Sequence, residues 1–203
     1  DRFLRGASEV PEMDPTPEGV LRAFGSIAAE GGVMPAAALD AMIATPIAAE
    51  AQWSDEVRNE FLGLLRNGPE AVPALETLDR IGLLERYLPA WGPVRCRPQR
   101  DPYHRSAVDV HLLESAAGLA MLLDDPGQDP LVARAVEAVT DRDALLLGAL
   151  LHDIGKRGEG DHVAVGTRVA AETLEHMGVS GPMADLALFL VAAGLPARPA
   201  PAY

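Results

Sequence analysis

The chain has 203 residues, 48% of them hydrophobic and 23% charged, and its 17 Lys and Arg stand against 30 Asp and Glu for a formal net charge of −13. A chain of that size and apolar content can bury a sizeable core, which excludes disorder, and its negative charge repels the phosphate backbone that supplies most nonspecific nucleic-acid affinity. Its one cysteine, Cys96, excludes an internal disulfide framework, and no apolar run approaches the roughly 20 residues that span a bilayer, so we expect a cytoplasmic protein with neither nucleic-acid nor membrane partners. The chain opens at Asp1 with neither a basic n-region nor an apolar h-region, and we therefore expect no secretory signal and a piece of something longer.

Helical periodicity dominates, and no alternating β-branched run bounded by tight turns occurs, so the predicted fold class is all-α. Thr16, Pro17 and Glu18 start a helix carrying Val20, Leu21, Phe24 and Ile27, and Gly31 and Gly32 end it. A second helix is predicted around Ala36 to Met42, with Pro46 limiting or kinking its continuation. Ser54 caps a third, whose Val57, Phe61, Leu64 and Leu65 fall at i, i+4, i+7 and i+8, with Gly68 as its stop. Another follows from about Pro69 with Val72, Leu75, Leu78 and Ile81 on one stripe, and Leu83 to Leu88 reads as a short further turn.

Between Pro89 and Pro102 lie four prolines, a glycine and three arginines, a composition that interrupts regular structure and favours an extended connection. A boundary placed there divides the chain into a smaller helical region, 1–92, and a helical bundle, 93–203. Ser106 starts a long helix to about Leu123, and Asp124 to Pro130 form an exposed loop before Leu131 to Val139. Asp141 or Asp143 precedes Ala144 to Leu151, which is apolar on every side and therefore a central buried helix running into His152. Gly155, Gly158 and Gly160 break it, and two helices, His162 to Met177 and Pro182 to Ala193, complete the set.

The chemistry concentrates in three words: Val108-Asp109-Val110-His111, Leu150-Leu151-His152-Asp153-Ile154-Gly155-Lys156, and Gly160-Asp161-His162 with Gly166 after it. A histidine and a carboxylate in sequence at the end of an apolar helix can both turn toward one cation, because the chain unwinds at Gly155. Imidazole with carboxylate suits Mn, Fe, Co, Ni or Zn. His111, midway along the long helix on a face with Val108, Ser115 and Leu122, points into packing and needs a partner there. Taken singly, each has a plainer reading: an interior histidine is more often a hydrogen-bonded core residue, and Asp161-His162 can be a helix start whose carboxylate faces the positive dipole. Lys156 and the basic residues from Arg95 to Arg105 can be solvated charges.

In combination, Val108-Asp109-x-His111, Leu151-His152-Asp153-Ile154-Gly155-Lys156 and Asp161-His162 with Gly166 resemble the HD superfamily of metal-dependent phosphohydrolases. Within it, Leu83-Leu84-Glu85-Arg86-Tyr87-Leu88-Pro89 and Arg97-Pro98-Gln99-Arg100-Asp101-x-Tyr103-His104-Arg105 resemble the PII uridylyltransferase/uridylyl-removing family, most of all its actinobacterial branch. The similarity runs from about Ser54 to about Leu190, and residues 1–53 fit the helical segment that follows the transferase domain in that family.

The resemblance implies an HD-type helical bundle preceded by a helical region, and a division of labour in which a transferase domain attaches UMP or AMP to a tyrosine of the nitrogen-signalling protein PII and the HD domain removes it. Neither the Gly-Ser motif with paired aspartates of the transferase nor the glutamine-sensing ACT domains has a counterpart in these 203 residues. It implies a divalent metal, Mn or Mg foremost, held by His111, His152, Asp153 and His162, with Asp153 also orienting water. It further suggests Lys156 and His104 for holding the phosphate or protonating the leaving tyrosinate. One departure stands out: where the family has a histidine pair after the last Leu-Val, this chain reads Leu190-Val191-Ala192-Ala193-Gly194-Leu195, which offers no side-chain ligand. Two further readings accompany the hydrolase: a regulatory HD module without turnover, favoured by that tail, and an HD hydrolase of a free nucleotide.

Overall fold

Short polar side chains start the helices where the sequence places them. Thr16, Ser54, Asp141 and Asp161 each accept a hydrogen bond from a backbone amide of the first helical turn, at 3.2, 3.1, 2.9 and 3.0 Å. This satisfies donors that have no partner within the helix. A computed structural model describes residues 14, 16–44, 51–99, 106–158 and 160–193. Among them are ten α-helices, two 3₁₀ turns and no strand, as the periodicity predicts. The helices are α1 (Pro17–Ala29), α2 (Ala36–Ala44), α3 (Asp55–Arg66), α4 (Ala71–Arg80), α5 (Leu84–Tyr87), α6 (Val108–Asp124), α7 (Pro130–Glu137), α8 (Arg142–Leu151), α9 (His162–His176) and α10 (Pro182–Ala193). The 3₁₀ turns are Gly68–Glu70 and Pro89–Val94.

Helix α8 is apolar around its circumference because it is enclosed: it packs on α6 and α10, and Leu146, Leu147, Leu150 and Leu151 are each no more than 1% exposed. Gly148 lets α10 close onto it, since a Cβ there would overlap the Leu190 side chain. Helix α1 lies on α3 and α4, and the turn after α3 rests on α6. That turn is made by Gly68, whose φ of +61° belongs to the left-handed region that glycine enters without penalty. One hydrophobic cluster runs from Val20 to Val191 through all these elements.

Two expectations are corrected. Pro89–Val94 is a 3₁₀ turn and not an extended connection, because prolines preset a φ that a tight helix also uses. Its Trp91 is 1% exposed, with Nε1 donating to Asp79 Oδ1 at 3.1 Å. The long helix begins at Val108 and not at Ser106, since Ala107 is extended and the Val108 amide donates to the Arg97 carbonyl at 2.8 Å. His111 consequently sits in the first turn of α6, not midway along it. The Asp124–Pro130 loop is largely exposed, as expected. Pro46, His104 and Gly194 onward fall outside the described residues. No described helix is long and apolar enough to cross a membrane.

Candidate metal centre

The buried helix α8 delivers His152 at its C-terminal cap, and the chain then turns through Asp153, Ile154 and Gly155. The turn is held from outside by α9. A Cβ on Gly155 would overlap the His162 carbonyl oxygen and the Gly166 amide, so this position has room only for glycine. Ile154, 1% exposed, anchors the turn in the core.

Across from it, the first turn of α6 presents His111. Its Nε2 lies 3.2 Å from His152 Nε2 and 3.6 Å from Asp153 Oδ2, and His152 Nε2 lies 3.4 Å from the same oxygen. The rings meet edge to face, with centroids 5.1 Å apart. Ligand atoms about 2.1 Å from one ion at tetrahedral angles stand about 3.4 Å apart, so three donor atoms on two elements have the spacing of one coordination sphere. His111, His152 and Asp153 form the group that meets this criterion among the described residues.

The donor chemistry fits as well as the spacing. His152 is 8% exposed, and its Nδ1 is 2.7 Å from the Ala149 carbonyl, which can only accept. That contact puts a proton on Nδ1 and turns Nε2 toward the group, the arrangement by which an outer carbonyl orients a ligating histidine. Burial works to raise the Asp153 pKa, but hydrogen bonds and positive charge from His152 and Lys156 outweigh it, and the carboxyl is held well below the usual carboxylate range. Asp153 is therefore an anion available to a cation. Lys156 Nζ lies 2.7 Å from Asp153 Oδ2 and donates to Gln99 Oε1 at 3.0 Å.

Beside the triad opens a cavity of about 770 Å³, lined by Arg95, Arg97, Gln99, Lys156, Gly158 and His162 among others. Of the residues singled out in the sequence, His111, His152 and Asp153 thus converge, and Lys156 joins them through Asp153. His162 does not enter the group: it opens α9, is exposed, and lines the adjoining cavity. His104 lies outside the described residues. Two residues that carry part of the site were not singled out. Gln99 holds Lys156, and Asp109, 6% exposed, accepts from the Cys96 amide at 2.6 Å and so ties the segment before α6 to the helix that bears His111. Both stand in the motifs quoted from the sequence, Asp109 two residues before His111 and Gln99 two after Arg97, but neither was assigned a role there.

Residues 108–193 match the family model of the HD domain. The chain is 37% identical over 172 residues to a protein of Mycobacterium tuberculosis named bifunctional uridylyltransferase/uridylyl-removing enzyme, a match covering 85% of this chain and 19% of that protein. The protein of the same name from Streptomyces coelicolor is 36% identical over 174 residues, covering 84% of this chain and 19% of its own. That of Caulobacter vibrioides is 36% identical over 138 residues, covering 64% and 14%. The chain spans about a fifth of the length of the first two curated relatives.

Proposed function

We propose that this chain, an HD-domain homologue of the bifunctional uridylyltransferase/uridylyl-removing enzymes, is the nucleotide-removing hydrolase part of such a protein. Its reaction is hydrolysis of the phosphodiester that joins UMP or AMP to a tyrosine of PII, in the cytoplasm. Glutamine control would come from ACT domains elsewhere in the longer protein. The observation that carries the reading is the convergence of His111 Nε2, His152 Nε2 and Asp153 Oδ2 from α6 and the end of α8.

In this reading His111, His152 and Asp153 hold a divalent ion, with Mn or Mg foremost. Once bound, such an ion supplies Lewis acidity toward a phosphoryl oxygen and lowers the pKa of a coordinated water toward neutrality. The chain's own residues do the rest. The Ala149 carbonyl keeps the His152 ring in one tautomer. Asp153 remains ionised and orients the attacking water by accepting its proton-bearing edge. Lys156, bonded to Gln99, places a positive charge beside the reacting phosphate. His162 lines the adjoining cavity, and His104 is retained as a group for holding the phosphate or donating a proton to the departing tyrosinate.

The test is Mn²⁺-dependent release of UMP or AMP from modified PII, with Asp153→Ala as control; release that survives the substitution contradicts the assignment. A regulatory module without turnover is favoured by Ala192 and Ala193, which end α10 where the family has a histidine pair. Metal binding without release would support that alternative.

A further inference from the structure

The cavity beside the triad is lined by three cations, and two of them are already engaged. Arg95 donates through Nε to Asp79 Oδ2 and through Nη2 to the Asp79 carbonyl, both at 3.0 Å. Lys156 is paired with Asp153 and bonded to Gln99. Arg97 is different: its side chain has no hydrogen bond or ion pair among the described residues, although the chain carries 13 more acidic than basic residues. A partly buried guanidinium left unpaired in so acidic a molecule is placed for a ligand that brings the negative charge itself.

Its placement is fixed at both ends. The backbone around it is tied to the first turn of α6 twice, by the Val108 amide donating to the Arg97 carbonyl at 2.8 Å and by the Cys96 amide donating to buried Asp109 at 2.6 Å. The turn that carries His111 therefore also carries Arg97. At the other end the guanidinium lies on Gly158, where a Cβ would overlap Nη2. Gly158 has a φ of +88°, so glycine is required there both for its backbone and for the seat it gives Arg97.

We infer that Arg97 is the residue that reads the phosphate of the substrate's mononucleotide group, its planar fork meeting two phosphoryl oxygens across the cavity from Lys156. The inference rests on the hydrolase reading above and adds a specificity-determining residue to it. Bidentate recognition of phosphate is what distinguishes arginine from lysine, and a fork seated on Gly158 has little rotamer freedom to lose on binding.

Calorimetric titration of UMP and of AMP into the whole chain tests this, with Arg97→Ala, Arg97→Lys and Gly158→Ala compared with wild type and Mn²⁺ titrated into each as a check on the neighbouring triad. Loss of one charge-assisted contact predicts nucleotide binding weaker by about ten- to a hundredfold in Arg97→Ala, an intermediate loss in Arg97→Lys, and a loss in Gly158→Ala, where the arginine is present but displaced. Mn²⁺ binding should be unchanged in both Arg97 variants. Nucleotide binding in Arg97→Ala within about twofold of wild type overturns the inference and leaves the hydrolase reading standing. Wild-type chain that binds neither nucleotide and releases none from modified PII overturns both.

Discussion

Lys156 and Asp153 share the oxygen on which the candidate metal centre depends: the ammonium lies 2.7 Å from Asp153 Oδ2, the same atom that His111 and His152 approach at 3.6 and 3.4 Å. A cation entering the triad therefore meets a carboxylate already neutralised by a lysine three residues along the chain. His152 and the lysine together keep Asp153 ionised in the metal-free protein, and the lysine opposes the ion that takes its place.

Replacing Lys156 by methionine removes that competing charge while keeping the stem. Two like charges about 4 Å apart at an effective dielectric near 20 repel by several kcal/mol before relaxation. Because the ammonium can swing away, we expect Lys156→Met to bind Mn²⁺ only about tenfold more tightly, with slower release of nucleotide. Calorimetry with Mn²⁺ measures the first effect, and weaker binding in the variant would show that the lysine supports the ion.

His162 was expected to join the ligands, yet it lines the cavity at the start of α9. His162→Ala should leave Mn²⁺ affinity within about threefold of wild type, against the 10- to 100-fold or larger losses typical of removing a ligand or its supporting partner. A large loss of affinity would place His162 on the ion.

Glycine substitutions separate a tight seat from open space. Gly155→Ala drives a methyl group into the His162 carbonyl and the Gly166 amide, and backbone on both sides cannot yield cheaply. We expect a loss of about 1–3 kcal/mol or more together with weakened Mn²⁺ binding. Gly118→Ala, in the interior of α6 with nothing near its Cβ position, should gain about 0.5–1 kcal/mol. Thermal unfolding of the two variants is the measurement, and equal effects would contradict the packing of α9 on the His-Asp turn.

Alkaline pH probes the N-terminal packing. Tyr87 is 0% exposed and its hydroxyl donates to the Pro17 carbonyl at 2.7 Å, tying α5 to the start of α1. Burial, with a smaller contribution from Glu18, pushes its pKa well above the ordinary value of about 10. A raised pKa in the folded state means that the stabilisation is complete below about pH 10 and is lost as pH climbs from there toward the folded value. Unfolding titrations should show stability falling above about pH 10 with a shallower slope in Tyr87→Phe. That variant should also lose about 1 kcal/mol at neutral pH, because the Pro17 carbonyl loses its donor. Identical alkaline slopes would contradict the assignment.

Much of this molecule was legible in its sequence because the signals were local. Thr16, Ser54, Asp141 and Asp161 cap helices with side chains that reach only two or three residues ahead, and the uninterrupted apolarity of Ala144 to Leu151 announces a helix enclosed on all sides. The adjacency of His152 and Asp153 at the end of that helix likewise survives in the fold. Less visible was whatever depends on a distant partner. Prolines at 89 and 93 read as a break, although their preset φ also suits the 3₁₀ turn that Trp91, buried against Asp79, anchors. Arg95, Arg97 and Lys156 all read as cations. Their different states follow from Asp79 and Asp153 claiming two of them, a pairing set by tertiary contacts and not by spacing.

The most direct test of the centre is titration of Mn²⁺ into the metal-free chain by calorimetry, beside Asp153→Ala and His111→Ala. We expect the wild type to bind an ion at this site and each variant to bind it at least about a hundredfold more weakly, with helical content by circular dichroism unchanged. Wild-type affinity retained in both variants, or a wild type that binds no Mn²⁺, would contradict the assignment of His111, His152 and Asp153 as a metal centre.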